Sequence, residues 1–569
     1  MRPRWALVGA VVGAFVLAGC APGAQATDQV VLPSYVSPSG AFLTGQFALA
    51  RGQLGAAAAG LARALQTTPD DLDLKRQVFS LTVASGDVEA SRALALDLVE
   101  GLERLGLAGA AAEAWLWLAA DAVREGDLTA AADRLALVEE RSLPGLVRPL
   151  VAAWLEPDPA VGAAGLATGD TGLGDLIASH RVALLERSGR IEEALGVLAA
   201  LGLEPSELPE RLLAEQARLL MLLDEPEAGL AVLQLGRGGP TRSDRLAMVE
   251  AALRAGTVPP PAVPSAEHGM ADALLAIAEL LTAQRRPLQA TFYTQTALHV
   301  APDHDAGWLL LAGLLAEQEG PEMGALALAN VPAGSIWYAS AQVERAEFLS
   351  RQGEIDEAVA VLEGQIDARP HDPRPAMALG DLLRRQQRFE EATEAYAKAL
   401  ARIGPTGTEH WRLYYARGIA YERSRRWPEA ERDLKRALEL NPDQPYVLNY
   451  LGYSWVDQGL HLVEARAMLY RAVELMPEDG YIVDSLGWAY FRLGDYVRAV
   501  ELLERAVELA PGDPVINDHL GDAFWRVGRY REARFQWERA LRLDPEPEEI
   551  EAIEAKLRRG LPAPDDDAG

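Results

Sequence analysis

The chain has 569 residues and a formal net charge of -29, from 54 Lys and Arg residues against 83 Asp and Glu residues. An anionic protein repels phosphate groups, so this composition argues against nucleic-acid binding and against broad attraction to anionic lipid headgroups. The single cysteine excludes an intramolecular disulfide, and the apolar share of 49% suffices for a continuous hydrophobic core.

Residues 1–20 have the composition of a secretory signal. Two arginines precede an apolar run over residues 6–18, which is shorter than the ~20 residues of a membrane-spanning helix. The run ends in Leu-Ala-Gly-Cys at residues 17–20, which resembles the lipobox of bacterial lipoproteins. We therefore predict a lipoprotein signal peptide over residues 1–20, with Cys20 as the lipidated first residue of the mature chain. The alternative is an ordinary signal peptide that contains a chance cysteine.

The residues after the signal indicate where the protein is placed. Ala21 follows the cysteine, and in lipoproteins with this pattern such a residue implies delivery to the outer membrane. No later stretch is long and apolar enough to span a bilayer, so we expect a lipid-anchored protein that faces the periplasm. Residues 21–37 contain proline, glycine and small polar residues, and they are predicted to form a flexible tether that spans roughly 20–25 Å.

Weakly patterned helix pairs are predicted over residues 38–255, of which the first runs from Pro38 to Asp71. Residues 145–175 are rich in glycine, and they are either a decayed repeat or an insertion. Residues 256–269 form a proline-rich connector. We interpret this connector as a loop on a continuous solenoid in preference to a division between two halves.

Residues 446–545 contain three copies of one pattern. Each copy has Leu-Gly in its first half, two alanines seven residues apart in its second half, and a closing proline. The prolines are Pro477, Pro511 and Pro545, at intervals of 34 residues. This pattern is typical of the tetratricopeptide repeat (TPR), a helix–turn–helix unit that stacks into a solenoid.

The pattern predicts an all-α fold, a TPR superhelical solenoid of stacked helix–turn–helix repeats. A C-terminal TPR array is predicted over residues 270–545, a capping helix over 546–560 and an acidic disordered tail over 561–569. Each repeat of a solenoid is expected to contact only its neighbours. Within each repeat, glycines such as Gly487 are expected where the paired helices approach most closely, because a larger side chain would force them apart.

No catalytic or metal-binding motif is present in the sequence. The chain lacks His-Glu-x-x-His, Gly-x-Ser-x-Gly, phosphate-loop and paired-cysteine patterns, and its eight histidines are scattered. His461 and His519 are interpreted as a turn residue and a helix-surface residue, not as an acid/base pair. We therefore predict no enzymatic activity, no cofactor and no metal. The alternative is an enzyme whose site is hidden in the weakly patterned N-terminal pairs.

The predicted function is binding of a protein partner in the groove that the first helices of TPR repeats line. A stripe of aromatic and polar residues recurs there at spacings of four and three, which places each set on one helical face. Such residues are typical of protein-binding hot spots, although they can equally pack between repeats. The candidate partner-binding residues are Asn449, Tyr453, Asp484, Trp488, Phe491, Asp518, Asp522 and Trp525. The flanking residues Arg384, Arg412, Tyr415, Tyr446 and Tyr481 extend the stripe.

The lipobox and the repeats together resemble the large TPR lipoproteins of Gram-negative outer membranes. The segment that runs from Asn449 through Asp484 to Asp522 is similar to one group of them. Members of that group include adaptors that tether and activate a periplasmic C-terminal processing protease, which trims peptidoglycan hydrolases. The resemblance implies an adaptor or scaffold for periplasmic protein partners, with such a protease as the specific candidate. The alternative is a TPR scaffold for polysaccharide secretion or pilus assembly.

Overall fold

The computed structural model describes residues 37–166, 174–236, 244–404 and 406–562. In these ranges the chain forms 30 α-helices and two short 3-10 helices, and it contains no β-strand. The all-α prediction is therefore confirmed. The described residues divide into two compact units, residues 37–369 and residues 370–562.

The first unit contains 19 helices. Their bounds are α1 Pro38–Ala50, α2 Leu54–Leu65, α3 Leu72–Ala84, α4 Val88–Arg104, α5 Ala112–Glu125, α6 Leu128–Ala136, α7 Leu143–Leu155, α8 Pro159–Gly165, α9 Gly174–Arg187, α10 Ile191–Ala199, α11 Glu210–Leu222, α12 Pro226–Leu235, α13 Asp244–Arg254, α14 Ala266–Ala283, α15 Pro287–Val300, α16 Asp305–Gln318, α17 Pro321–Leu328, α18 Tyr338–Gln352 and α19 Ile355–Ala368. A 3-10 helix at Ala108–Ala111 precedes α5.

The second unit contains 11 helices. Their bounds are α20 Arg374–Arg385, α21 Phe389–Ile403, α22 Trp411–Arg423, α23 Trp427–Leu440, α24 Pro445–Gln458, α25 Leu462–Leu475, α26 Gly480–Arg492, α27 Tyr496–Leu509, α28 Pro514–Arg526, α29 Tyr530–Arg542 and α30 Pro547–Arg559. The second 3-10 helix, Thr408–His410, precedes α22.

Aspartates begin several of these helices. The carboxylates of Asp71, Asp87 and Asp127 accept hydrogen bonds from backbone N–H groups in the first turns of α3, α4 and α6. Such a cap satisfies a donor that the helix leaves unpaired, and its negative charge faces the positive end of the helix dipole. In the turn before α4, Gly86 has a φ of 80°, a conformation that other residues rarely adopt. Short turns of this kind set helices against each other as pairs.

The first unit departs from the expectation that each repeat contacts only its neighbours. Helix α15 packs on α3 and α5, and α14 packs on α7. Phe79 and Phe292 meet edge to face at 5.8 Å, and Trp117 stacks on His299 at 5.3 Å. The nearest-neighbour expectation is therefore wrong for this unit. The physical reason is that α3, α5 and α15 each carry large apolar side chains beyond those needed for their own pair.

Charged groups accompany that long-range packing. Asp121 receives two hydrogen bonds of 2.7 Å from the guanidinium of Arg92, and its carboxylate lies 2.9 Å from Nε2 of His299. Burial raises the pKa of Asp121, but the bonds to Arg92 and His299 outweigh it, so the pKa of this carboxyl falls below its usual value. The buried carboxylate is thus held ionised between helices far apart in sequence.

Residues 143–166 and 257–264 are both integrated into the first unit. Helices α7 and α8 pack as a pair, and the indole N–H of Trp154 donates to Nδ1 of His180. In the proline-rich connector, Val263 is buried and the N–H of Ala262 donates to the carboxylate of Glu215. The boundary between the two compact units lies at residue 370 and not in this connector.

The second unit packs as a row of helix pairs. From α20 to α30 every helix packs on its sequence neighbours, and successive first helices such as α24, α26 and α28 also touch. A Cβ atom added to Gly487 would lie 2.8 Å from Cγ of Leu503, which confirms the close approach predicted there. In the described ranges, no helix has both the length and the apolar character required to cross a membrane.

Candidate partner-binding surface of the C-terminal repeats

The candidate residues lie on three successive first helices of the second unit. Asn449 and Tyr453 are on α24, Asp484, Trp488 and Phe491 are on α26, and Asp518, Asp522 and Trp525 are on α28. Because each first helix packs against the next, a side chain on this face is partly covered by the helix that follows. Burial therefore differs along the stripe. The buried members are Asn449, Tyr453, Asp484, Trp488 and Asp522, whereas Phe491, Asp518 and Trp525 stay partly exposed.

A stacked cluster forms where α26 meets α28. The rings of Trp488 and His519 lie 4.0 Å apart with an interplanar angle of 13°, and Phe491 also stacks on Trp488 at 4.7 Å. Nδ1 of His519 lies 3.0 Å from both carboxylate oxygens of Asp484. The interpretation of His519 as a helix-surface residue is wrong, because the imidazole is buried between the two helices. His461 does lie in a turn, with a φ of 43°.

The protonation of His519 depends on Asp484. Burial lowers the pKa of the imidazole, but the charge of Asp484 and the hydrogen bond to it raise the pKa by more. The net pKa of His519 is raised above its usual value. The imidazolium form is therefore favoured inside the folded protein, where it neutralises a buried carboxylate.

This raised pKa predicts a pH-dependent stability. A group whose folded-state pKa is raised contributes stability below its unfolded-state pKa, and the contribution is lost as pH rises through the folded-state pKa. We expect the urea midpoint of the second unit to fall as pH rises above about 6.5, the ordinary pKa of an imidazole. His519→Gln should weaken this dependence, while His461→Gln at the exposed turn should leave it unchanged. Equal pH dependence in His519→Gln and the wild type would contradict the assignment.

The last members of the stripe meet the C-terminal helix. Nζ of Lys556 on α30 lies 2.6 Å from the carboxylate of Asp518 and 2.7 Å from that of Asp522. The indole N–H of Trp537 donates to Asp522 at 2.9 Å. Burial raises the pKa of Asp522, and the charge of Lys556 lowers it in part. Asp518 and Asp522 thus bind the helix that closes the array.

Other residues on the same face remain accessible. Arg412 and Tyr481 are exposed, and Arg384, Tyr415, Tyr446 and Phe491 are partly exposed. We refer to these six residues as the first-helix surface. They combine two cations with four aromatic rings, whereas the stripe beside them is largely buried.

Contacts within the second unit hold several of these side chains in place. Nε of Arg384 donates to the hydroxyl of Tyr396, which in turn donates to Asp381 at 2.7 Å. The ring of Tyr415 meets Tyr450 edge to face at 5.9 Å. Burial raises the pKa of Tyr415, so its hydroxyl stays protonated. The surface therefore offers hydrogen-bond donors and flat apolar faces, which suit recognition of a peptide.

Sequence reasoning missed Lys556 as a partner of the stripe. One signal pointed to it: only four of the 54 basic residues are Lys, and two of these four, Lys75 and Lys556, are buried. Asn449 also carries a feature that only the structure shows. Its side chain is 4% exposed, and its Oδ1 has no hydrogen-bond partner within the described ranges. Cys20, the predicted lipidation site, lies outside the described residues.

The part of the chain that the structure describes contains no group of three or more His, Cys, Asp and Glu residues that could hold a metal ion. The contacts of the stripe are aromatic stacking, ion pairs and hydrogen bonds between helices. These contacts join successive helices of the array to one another.

Sequence models of the tetratricopeptide repeat match residues 372–443, 415–480, 463–514 and 490–557. Residues 372–557 are tetratricopeptide repeats. The TPR-solenoid prediction is confirmed for the described chain, and TPR modules indicate a protein-interaction scaffold. The comparison with curated proteins returned no match.

Solved TPR structures are similar to parts or most of the chain. A tetratricopeptide repeat protein from Parabacteroides merdae is 17% identical, with a TM-score of 0.36, and covers 45% of this chain and 97% of its own. The Cut9–Hcn1 hetero-tetramer of APC/C gives 16% identity and a TM-score of 0.38, over 93% of this chain and 97% of that one. YrrB, a TPR protein with an unusual peptide-binding site, is 22% identical, with a TM-score of 0.27. The match covers 30% of this chain and 87% of YrrB.

Proposed function

We propose that the protein is a lipid-anchored periplasmic scaffold whose TPR array holds an extended segment of a partner protein on the first-helix surface. The observation that carries the proposal is a repeat-spaced row: Arg412, Tyr446 and Tyr481 occupy the same register of α22, α24 and α26. Neighbouring helices lie about 8–10 Å apart, which corresponds to about three residues of an extended chain. Every third residue of such a segment could therefore contact one member of the row.

The specific partner that we propose is a periplasmic C-terminal processing protease. The resemblance of the segment from Asn449 to Asp522 to adaptors of such proteases supports this choice. An acidic chain with a net charge of -29 would favour a partner whose docking segment is basic or apolar. The lipobox at Cys20 would keep the complex at the outer membrane, near peptidoglycan. A scaffold for polysaccharide secretion or pilus assembly is the alternative, and it would copurify with an outer-membrane pore.

A copurification from solubilised envelope tests the proposed surface. We expect a periplasmic protein to be enriched with the wild type and reduced about tenfold or more with the triple variant Arg412→Ala, Tyr446→Ala, Tyr481→Ala, since loss of hot-spot residues costs more than 1 kcal/mol each. The matched control replaces Tyr470 and Tyr530, which are each 54% exposed on second helices, with Ala. Equal losses in both variants, or no enriched protein, would contradict the proposal.

The anchor needs a separate test. Mass spectrometry of the mature N-terminal peptide should find acyl chains on Cys20, and Cys20→Ala should move the protein from the membrane fraction to the soluble fraction. An unmodified Cys20 in membrane-bound protein would contradict the anchor and would leave the protein-binding proposal in place.

A further inference from the structure

Helix α1 exposes an apolar face. Its large apolar residues Phe42, Leu43 and Phe47 are 40%, 67% and 56% exposed to solvent. The opposite face of the helix is buried against α2, where Gly45 approaches Leu61. Phe42, Leu43 and Phe47 therefore form an exposed apolar face, a feature that marks interaction sites with proteins or membranes.

The exposed side chains lie on one stripe. Five exposed residues of α1 follow the spacing of one helical face, three or four positions from one to the next, with one adjacent pair at residues 42 and 43. They are Ser39, Phe42, Leu43, Phe47 and Ala50. Helix α1 contains no charged residue in its whole length. The stripe is therefore continuous over the helix, with no charge to solvate it.

The charge of this part of the chain differs from that of the rest. From Gln29 to Pro69 the sequence contains no Asp or Glu, in a protein with 83 such residues. The charged residues in that range are Arg51 and Arg63. The guanidinium of Arg51 lies over the ring of Phe47 at 5.3 Å, beside the exposed stripe. A local cationic and apolar surface thus sits on a chain whose net charge is -29.

We propose that this stripe of α1 is a docking surface for the lipid bilayer. Phe42, Leu43 and Phe47 enter the boundary between headgroups and acyl chains, and Arg51 contacts lipid phosphates. Binding to this boundary strengthens with the apolar area that is buried and with the electrostatic attraction of cations to anionic lipids. The absence of carboxylates over the same range removes the repulsion that the rest of the surface would meet at anionic lipid.

The position of α1 agrees with the proposed lipid anchor at Cys20. The proposed docking surface rests in part on that anchor. Residues 21–37 separate Cys20 from the helix, so a lipid-anchored Cys20 would keep α1 within about 60 Å of the membrane. Once acyl chains hold Cys20 in the membrane, the helix meets the bilayer at a high effective concentration. The second contact would give the first unit a fixed orientation at the membrane.

Vesicle binding tests the docking surface without acylation. The chain from Ala21 onward is mixed with vesicles of phosphatidylethanolamine and phosphatidylglycerol and sedimented. We expect binding, and a loss of about tenfold or more in the variant Phe42→Gln, Leu43→Gln, Phe47→Gln, because apolar burial drives interfacial binding. The matched control is Leu105→Gln, Leu137→Gln, Leu326→Gln, whose leucines are 62%, 47% and 63% exposed. This control should bind vesicles as the wild type does, and circular dichroism should show equal helix content in all three proteins.

Two results would overturn the docking surface. One is a failed binding comparison: either the wild-type protein stays in the supernatant, or the α1 triple variant sediments with vesicles as the wild type does. The other is a wild-type dimer in sedimentation velocity that is lost in the α1 variant, together with no vesicle binding. That result would mean that a second copy of the chain covers the α1 stripe. Because the assay uses a chain without Cys20, its failure leaves the anchor and the partner-binding proposal untouched.

Discussion

Gly487→Leu is expected to lower the free energy of unfolding of the C-terminal repeats by about 2–3 kcal/mol. The first atom of a new side chain would lie 2.8 Å from Cγ and 2.9 Å from Cδ2 of Leu503, and 3.3 Å from Cβ of Leu502. The atoms in the way belong to α27, which packs on α26 as its pair partner. The helices must separate, and the apolar contacts on both sides of Gly487 weaken.

Urea unfolding followed by circular dichroism measures this effect. Gly364→Leu is the matched control, since Gly364 is an exposed glycine inside α19 and a Cβ there meets no atom within 4 Å. That substitution should stabilise its helix by up to about 1 kcal/mol, because Leu is a better helix former than Gly. Equal midpoints for Gly487→Leu and the wild type would show that the helices are not in close contact there.

Lys556→Met is expected to cost about 3–5 kcal/mol, which is the larger of the two effects. Methionine keeps most of the side-chain volume but removes the cation that two carboxylates share. Asp522 is 3% exposed and would then be a buried charge without its counter-ion. The expected result is separation of α30 from α28 and α29, seen as faster proteolysis after residue 546 and a lower urea midpoint.

The pH dependence distinguishes loss of charge from loss of packing in this variant. Burial already raises the pKa of Asp522, and without Lys556 that pKa rises further. An acid with a raised folded-state pKa costs no stability below its unfolded-state pKa, and the cost grows as pH rises from that value to the folded-state pKa. The defect should therefore be large at pH 7 and shrink toward pH 4. Lys398→Met, at an exposed position on α21, is the control and should be neutral at both pH values.

The repeat architecture of the second unit was the part of the fold that could be predicted best from the sequence. A proline every 34 residues ends each second helix, and Leu-Gly pairs mark the closest approach of the two helices. Both features act within one repeat, so local sequence is enough to read them. The bounds of α24 to α29 follow that punctuation.

The packing of the first unit could not be predicted in the same way. His299 meets Asp121 across 178 residues of sequence, and no periodic pattern reports such a pairing. Phe79 and Trp117 lie on different helix pairs, and their rings meet edge to face at 6.4 Å. The contacts of α15 with α3 and α5 join helices that are separated by many others along the chain.

The candidate site was predictable in register and not in exposure. Helical spacing predicted one shared face for Asp484, Trp488 and Phe491, and all three residues lie within α26. Whether each side chain meets a partner or a neighbouring repeat depends on the next helix. His519 covers Trp488, and Lys556 covers Asp522. Those residues lie 31 and 34 positions away, so their effect appears only when the helices are stacked.

Photo-crosslinking in the intact envelope tests the first-helix surface as the partner-binding site most directly. A benzophenone side chain replaces Tyr481 on α26, and in a second strain it replaces Tyr470 on α25, which is 54% exposed. We expect one periplasmic protein, identified by mass spectrometry, to be captured from position 481 and not from position 470. Capture of the same protein from position 470, with none from position 481, would contradict the proposed surface.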